Sequence, residues 1–323
     1  MTLTVTRREF VAGSLGALAG VSLGRLGSAV AAGSAEKKLF VGCRDAHLAV
    51  TGAENCWAAM QRIGAESVAA TIHDDLSIPA LFHPERQYSL ATLEGISQLA
   101  TDAKAAGVKI TAFCMSNRFD ERPEFELQWT AKAAEAAKAL GAKAIRIDVV
   151  RRKTSEEQFP AFAVDILSKL IAATESTGVA FGIENHGGTT NDPAFLKTVF
   201  DGVGSPRLGL TLDTANFYWF GHPLSKLYDL YAQFAPRVVH THCKSICYPE
   251  SEREKQRQRG WKYGEYCCPI YEGDLDFRRI VEILKKAGYS NDLCIENESL
   301  GKFPAQEQGS VLAREIQHLK DVR

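Results

Sequence analysis

The sequence has almost no excess of charge of either sign. Its 323 residues include 38 lysines and arginines against 39 aspartates and glutamates, which gives a formal net charge of −1 at pH 7. Domains that bind nucleic acid carry a clustered excess of basic residues, so this composition argues against a nucleic-acid partner. Hydrophobic residues make up 45% of the chain and charged residues 24%, which is enough apolar material for a large core.

Three further features are missing from the chain. No G-x-G-x-x-G follows the first predicted strand, which argues against a doubly wound dinucleotide-binding sheet. No Cys-x-x-Cys pair occurs among the eight cysteines, which argues against a structural zinc site. No linker, low-complexity segment or second domain interrupts residues 36–323, so we expect a single domain over that range.

The first 35 residues differ from the rest. The segment begins with TRREF (6–10), continues through a long uncharged stretch broken only by Arg25, and ends in AVAAGSA (29–35). This pattern is typical of a secretory signal, and the paired Arg7 and Arg8 indicate the twin-arginine type. A membrane-spanning helix is the alternative. The glycines of this segment would destabilise such a helix, and Arg25 would lie inside the bilayer. We predict cleavage near residues 31–35 and a periplasmic or secreted protein that keeps no membrane anchor.

An exported protein with eight cysteines would normally contain disulfides. Four cysteines, however, lie within apolar strand-like runs, where cysteine behaves as a small buried hydrophobe: Cys43, Cys114, Cys243 and Cys294. Three others lie in a predicted loop and could pair with one another after export: Cys247, Cys267 and Cys268.

From residue 38 onward, short apolar runs alternate with longer amphipathic patterns. The predicted strands are 38–43, 67–72, 109–115, 144–150, 180–185, 208–214, 238–244 and 292–297. The predicted helices between them include 89–106, 124–140, 158–177, 192–202 and 276–287. Fully apolar strands indicate burial on both faces, as in a parallel sheet. Eight such units predict an α/β fold of the (β/α)₈ TIM-barrel type, with a doubly wound sheet as the alternative.

The irregular, highly charged segment 246–274 is predicted to be solvated and is a candidate lid over the barrel.

Polar residues follow the predicted strands where each one ends. They are His73 after strand two, Glu184 and His186 after strand five, and Asp213 and Asn216 after strand six, followed by His240, His242 and Lys244 on strand seven and Glu296 and Glu298 on strand eight. The chemistry of such barrels lies at the carboxyl ends of the strands. Carboxylates gathered in one small site repel each other unless a cation joins them. The pattern therefore predicts a divalent-metal site for Mn²⁺, Co²⁺ or Mg²⁺, with Zn²⁺ as an alternative.

Four segments carry a resemblance to a known family: IENH (183–186), LTLDTAN (210–216), HTHCK (240–244), and the stretch from GDLDF (273–277) to CIENE (294–298). Their order and spacing resemble the sugar phosphate isomerase/epimerase group of xylose-isomerase-like TIM barrels. Relatives in this group include tagatose 3-epimerase, hydroxypyruvate isomerase, inosose dehydratase and endonuclease IV. The resemblance covers about residues 38–320 and is strongest in the C-terminal half.

The resemblance implies one divalent ion, with Mn²⁺ preferred, bound by Glu184, Asp213, His242 and Glu296. His240 would be an inner neighbour of that site. The chain departs from the family pattern at two positions. Asn216 replaces a substrate-contacting histidine of the epimerases, which also argues against a trinuclear site like that of endonuclease IV. Ser245 follows Lys244 where many relatives have aspartate. These two departures leave the identity of the substrate undetermined.

This constellation predicts proton abstraction next to a carbonyl through a metal-stabilised enediolate. Glu184 and Glu296 are the predicted catalytic bases on opposite faces of the substrate. The residues expected to bind substrate hydroxyls or support the ligands are His73, His186, Asn216 and Lys244. Three functions fit: a sugar or keto-sugar isomerase or epimerase, a lyase or dehydratase on a 3-keto-sugar, 3-keto-glycoside or inosose, and a non-catalytic sugar-binding protein. The expected partner is a small sugar, and association into a homo-oligomer is left open.

Overall fold

The computed structural model describes residues 38–323, and the predicted export signal lies outside this range. Eight parallel strands form one sheet, in the order β10-β1-β2-β3-β4-β5-β6-β7. The barrel strands are β1 (Phe40–Arg44), β2 (Ser67–Thr71), β3 (Lys109–Met115), β4 (Ala144–Ile147), β5 (Ala180–Glu184), β6 (Leu208–Asp213), β7 (Val238–His242) and β10 (Asp292–Ile295). The predicted (β/α)₈ barrel is therefore confirmed.

The seam between β7 and β10 closes the barrel through few contacts. Cys243 forms a parallel bridge with Ile295, and its backbone N–H donates to the Cys294 carbonyl at 2.7 Å. Two residues earlier on β7, the Thr241 hydroxyl spans the gap. It donates to the Asp292 carbonyl at 3.0 Å and accepts from the Cys294 N–H at 3.3 Å. A side chain thus replaces ladder hydrogen bonds where the two strands separate.

Helices cover the outside of the barrel. They are α1 (Cys56–Ile63), α2 (Leu93–Ala105), α3 (Pro123–Leu140), α4 (Phe159–Ala173), α5 (Pro193–Val203), α6 (Asn216–Phe220), α7 (Leu224–Phe234), α8 (Glu250–Arg253), α9 (Tyr263–Tyr266), α10 (Phe277–Lys286) and α11 (Ala305–Val322). Glycines end several of them as the sequence predicts. Gly141 has φ of 71°, a left-handed conformation that suits glycine, and its N–H donates back to the Ala137 and Lys138 carbonyls.

All eight predicted strands are present, although several end earlier than predicted. The largest difference is in β4, which ends at Ile147 instead of residue 150, because Asp148 turns toward the side chains of Arg146 and His186. Helix α2 begins at Leu93 instead of residue 89, because the Thr92 side chain caps it by accepting from the Gly95 N–H. Polar side chains at element ends therefore set the boundaries that apolar periodicity cannot locate.

The segment predicted as a solvated lid is ordered around a small hairpin. Strands β8 (Ser245–Ile246) and β9 (Cys267–Cys268) pair antiparallel, with α8 and α9 between them. The prediction that this segment is exposed to solvent is wrong for Arg257. Its guanidinium lies 4.5 Å from the Tyr218 ring and 4.4 Å from the Tyr248 ring. This buried cation holds the segment against the loop that follows β6.

All eight cysteines lie within the described range and all are free thiols. The four predicted to be buried in strands are buried. Across residues 38–323, no helix combines the length and the apolar character needed to cross a membrane.

Candidate metal centre

The four predicted metal ligands meet at the carboxyl end of the barrel. Glu184 ends β5, Asp213 ends β6, His242 ends β7 and Glu296 follows β10. Each offers one ligand atom, and these four atoms all lie within 4.8 Å of one another. The register of the sheet produces this convergence, because Asp213 and His242 are direct partners across β6 and β7. We call these four residues the mouth cluster.

Glu184 is fixed between a cation and an imidazole. Its Oε1 lies 2.5 Å from His242 Nδ1. Its Oε2 accepts two hydrogen bonds from the Arg146 guanidinium, one of them from Nε at 3.0 Å. Burial would raise the pKa of this carboxyl, but Arg146 and His242 outweigh burial and hold the pKa well below its usual range. Glu184 is therefore ionised at neutral pH.

Glu296 has a similar arrangement on the other side of His242. Its Oε1 accepts from Arg44 Nη1 at 2.5 Å, and its Oε2 lies 3.3 Å from His242 Nδ1 and 3.7 Å from Lys244 Nζ. Burial again opposes ionisation, and His242, Lys244 and Arg44 reverse this and hold the pKa of Glu296 well below its usual range. Both glutamates thus face the same imidazole, each with its own arginine behind it.

Asp213 differs from the two glutamates. Its Oδ1 accepts from the backbone N–H groups of Ala215 and Asn216, at 2.9 and 2.8 Å. Its Oδ2 is buried without a hydrogen bond, although Lys244 Nζ lies 3.0 Å away and forms an ion pair with it. Burial and the neighbouring glutamates raise the pKa of Asp213, and Lys244 only partly offsets them. This oxygen is placed to bind a cation, and in the metal-free protein the Lys244 ammonium takes that position.

The ligand types and the charge of the mouth cluster suit a divalent cation. Three carboxylates and one imidazole are a donor set that suits Mn²⁺, Mg²⁺, Co²⁺ or Zn²⁺. Without such an ion, Arg44, Arg146 and Lys244 supply the positive charge that keeps the three carboxylates together. Carboxylates this close and this buried need compensating charge from protein or from metal.

The predicted substrate-binding residues take different positions. Lys244 is buried and pairs with Glu298 Oε1 at 2.8 Å as well as with the mouth cluster. Asn216 is buried with its Nδ2 unpartnered. The His186 side chain is 49% exposed, and its Nδ1 lies 3.3 Å from Asp148 Oδ1. His73 is exposed and lines a separate cavity of about 510 Å³ on the side of β2, so it is placed at the rim and outside the mouth cluster.

Sequence analysis missed three charged residues that hold the mouth cluster. Arg44 ends β1, Arg146 lies within β4, and Asp148 follows that strand. The sequence did contain a signal for two of them. Arg146 and Asp148 are charged residues, two positions apart, in the otherwise apolar run AIRIDVV. Charged residues in a doubly buried strand must point to one another or to a polar interior. The alternation of a strand places both on the same face.

Cys114 on β3 was predicted to be a buried hydrophobe, but its thiol contacts imidazoles. Its Sγ lies 3.8 Å from His242 Nε2. Burial would raise the pKa of this thiol, but Arg44, His240 and His242 reverse the shift and lower it to about 6. His240 lies deeper on β7, fully buried, with Nδ1 2.9 Å from Asp292 Oδ1. The predicted inner neighbour of the metal ligand therefore forms its own polar contacts inside the barrel.

The chain matches the family model described as xylose isomerase-like TIM barrel over residues 57–322. One curated relative, the uncharacterized protein MJ1311 of Methanocaldococcus jannaschii, is 24% identical over 138 residues. That match spans 42% of this chain and 42% of the relative, so it covers less than half of either protein.

Several solved structures share the fold. The IOLI protein, solved with a bound zinc atom, has a TM-score of 0.65 and 18% identity, covering 88% of this chain and 99% of that one. A xylose isomerase-like TIM barrel protein from Mycobacterium smegmatis in complex with magnesium has a TM-score of 0.62 and 14% identity, with 88% and 97% covered. The 3-keto-D-glucoside 4-epimerase from E. coli has a TM-score of 0.60 and 16% identity, with 87% and 100% covered. At these identities, the likeness concerns the fold.

Proposed function

The chain belongs to the xylose isomerase-like TIM barrel family, and on this premise we propose that it is a divalent-metal-dependent isomerase or epimerase of a sugar or keto-sugar. The observation that carries the proposal is the placement of Glu184 and Glu296 on either side of His242. Their contacts with its Nδ1 measure 2.5 and 3.3 Å. Two carboxylates that approach a bound carbon from opposite faces could remove a proton from one face and deliver one to the other.

A divalent cation bound by the mouth cluster would act as a Lewis acid that polarises the substrate carbonyl and stabilises negative charge on its oxygen. Glu184 or Glu296 takes the proton from the adjacent carbon, since both are ionised at neutral pH. The other glutamate, once it has taken up a proton from solvent, can deliver that proton to the opposite face, which inverts the configuration. Return to the neighbouring carbon gives isomerisation instead.

Other side chains of the mouth are suited to sugar hydroxyls. Asn216 has an unpartnered amide nitrogen, and Lys244 has an ammonium group beside the cluster. His186 is oriented by Asp148 and is open enough to contact a ligand. His73 lines a separate cavity beside β2, and we propose that it contacts a part of the substrate outside the mouth cluster.

The solved relatives guide the choice of metal and substrate class. One was solved with zinc, another with magnesium, and a third is a keto-glucoside epimerase. We retain Mn²⁺ as the first choice because the mouth cluster offers mostly oxygen ligands with one nitrogen. Twin-arginine export to the periplasm, with a sugar substrate met outside the cytoplasm, remains part of the proposal, as does the open question of a homo-oligomer.

A lyase acting on a 3-keto-sugar, a 3-keto-glycoside or an inosose is the second candidate. The Tyr263 hydroxyl donates to Glu298 Oε2 at 2.7 Å, and Glu298 Oε1 lies 2.8 Å from Lys244 Nζ. This chain of groups beside Glu296 could deliver a proton to a departing substituent. Elimination needs such an acid, whereas epimerisation does not.

The test is product analysis by NMR, with a panel of keto-sugars, keto-glycosides and inososes in D₂O. Solvent deuterium in the recovered substrate together with a new stereoisomer or positional isomer supports the proposal. An unsaturated or cleaved product identifies the lyase instead. Saturable binding without deuterium incorporation anywhere in the panel would identify a non-catalytic sugar-binding protein.

A further inference from the structure

A second group of metal-binding side chains lies deeper inside the barrel. Cys114, His240 and His242 each offer one ligand atom within 4.8 Å of the others, and all three side chains are buried. His240 precedes His242 by two residues on β7, so both imidazoles point into the barrel, with His240 deeper and the two ring centroids 5.0 Å apart. We call these three residues the inner site.

His240 has the hydrogen-bonding pattern of a metal-binding histidine. Its Nδ1 lies 2.9 Å from Asp292 Oδ1, and this carboxylate also accepts from the hydroxyls of Thr111 and Tyr289. A carboxylate at this position places the ring proton on Nδ1 and leaves Nε2 with a free lone pair. Histidines that bind metals commonly donate their other ring N–H to a carboxylate in this way.

The free nitrogen of His240 has no hydrogen bond. Nε2 is buried and has no hydrogen-bond partner within residues 38–323. The ring is completely shielded from solvent, so bulk water cannot supply one. A buried acceptor without a partner is costly, and a native structure usually satisfies it with a donor, a water molecule or an ion. The atom faces the interior where the Cys114 thiol and the second imidazole lie.

The spacing of the other two ligand atoms fits one small ion. Cys114 Sγ and His242 Nε2 are 3.8 Å apart. With zinc–sulfur and zinc–nitrogen distances of about 2.3 and 2.05 Å, an angle of about 120° at the ion separates these atoms by about 3.8 Å. The pair can therefore bind the same ion without moving, with His240 Nε2 as the third ligand.

We propose that the inner site binds a second, thiophilic divalent cation of the Zn²⁺ type through Cys114 Sγ, His240 Nε2 and His242 Nε2. Sulfur and nitrogen ligands select such an ion over Mg²⁺ or Mn²⁺. Cys114 binds the ion as a thiolate and His242 binds it as an imidazolate, so two negative ligands match the two positive charges of the ion. His240 binds the ion as a neutral imidazole through Nε2, with its Nδ1 proton held by Asp292.

His242 belongs to both sites. Its Nδ1 faces Glu184 and Glu296, whereas its Nε2 faces Cys114. One imidazole therefore bridges two different ions in the doubly loaded protein, with a hard ion among carboxylates and a soft ion below it. The inner ion fixes the ring orientation that the mouth cluster needs.

Cobalt provides the test, because it substitutes for zinc and absorbs strongly only when a thiolate binds it. The full chain is produced in medium supplemented with Co²⁺, so that the buried site fills during folding, and its metal content and near-ultraviolet spectrum are measured. We expect about two cobalt ions per chain and a thiolate-to-cobalt charge-transfer band. Cys114→Ser should remove the band and leave about one ion.

Matched variants separate the inner site from a general effect on folding. Cys43→Ser is the control, because Cys43 is also fully buried but precedes Arg44, whose side chain points into the barrel, so Cys43 faces the helices. This variant should keep the band, whereas His240→Gln should lose it. Wild-type protein without the band, or a band that survives in Cys114→Ser, would overturn the proposal. This readout does not depend on the sugar reaction, so it stands apart from any failure of the proposed function.

Discussion

The two glutamates of the mouth lie in flanks of the barrel that are closed to different degrees. Glu184 is 3% exposed, with one oxygen held by Arg146 and the other by His242. Glu296 is 16% exposed and borders Lys244, which leads through Glu298 to Tyr263 near the hairpin of β8 and β9. The Glu184 carboxylate is thus more enclosed than the Glu296 carboxylate, although the half-exposed His186 ring lies 3.9 Å from Glu184 Oε2. We infer that substrate enters on the Glu296 side.

Replacing either glutamate with glutamine should cause the largest loss of turnover. The amide oxygen of glutamine can still bind a cation but cannot accept the proton at neutral pH. We expect each variant, Glu184→Gln and Glu296→Gln, to lose about 10²–10⁴-fold in kcat, the usual contribution of a general base. The measurement is steady-state turnover on the substrate found by NMR, with metal content determined on the same sample.

A matched control for this comparison is Glu298→Gln, since Glu298 lies in the same mouth but outside the ligand set. That variant should change kcat by less than about tenfold. If both of the other glutamine variants keep their metal and near-normal rates, neither flank supplies the base. His186 or Lys244 would then have to do so.

The two arginines should differ in their contribution to stability. Removing one partner of a buried ion pair costs about 3–5 kcal/mol. Arg146→Met should approach that loss because Glu184 would be left buried and uncompensated, whereas Arg44→Met should lose less because water can reach Glu296. Urea unfolding in the presence of a chelator measures both. Equal losses would show that the two flanks are equally closed.

The third carboxylate makes metal affinity depend on pH. Because the pKa of Asp213 is raised, a proton competes with the cation for this group in the metal-free protein. The sign follows directly: lowering the pH protonates Asp213 and weakens binding, by at most about tenfold per pH unit for one proton. Mn²⁺ titrations between about pH 5.5 and pH 8 measure the slope. Asp213→Asn should bind Mn²⁺ more weakly and show a shallower pH dependence, which keeps the contribution of His242, whose pKa is also raised by the neighbouring glutamates. An unchanged slope in that variant would assign the competing proton to another group.

The smallest effect is expected at the open flank. Tyr263→Phe removes the hydroxyl that donates to Glu298, a hydrogen bond worth about 0.5–1.5 kcal/mol. If this contact orders the entrance, KM should rise by up to about tenfold with kcat nearly unchanged. Tyr271→Phe is the control, because the Tyr271 hydroxyl has no hydrogen-bond partner in the described part of the chain. Equal KM values in the two variants would remove Tyr263 from the entrance.

The strands were predictable because each is a short apolar run followed by a helical pattern, and several of those helices end near a glycine. Their exact ends were not, as β4 illustrates: the turn of Asp148 depends on contacts with Arg146 and His186 that only the closed barrel brings together. The burial of Arg257 was likewise hidden, since its aromatic partners Tyr218 and Tyr248 come from other segments.

The polar residues at strand ends could be listed from the sequence, because parallel topology gathers side chains there. The family resemblance then singled out Glu184, Asp213, His242 and Glu296 as the ligands. The residues behind them could not be chosen this way. A strand buried on both faces gives no apolar alternation, so the sequence does not indicate which of its residues point into the barrel. Cys114 therefore looked like any other buried thiol.

The most direct test of the central claim is deuterium exchange by the two glutamine variants on each of the two epimers of the substrate. ¹H NMR in D₂O follows the loss of the α-proton signal. If Glu184 and Glu296 serve opposite faces, Glu184→Gln should exchange the α-proton of one epimer only, and Glu296→Gln that of the other epimer only. Exchange of the same epimer by both variants, or of both epimers by either one, would contradict the account.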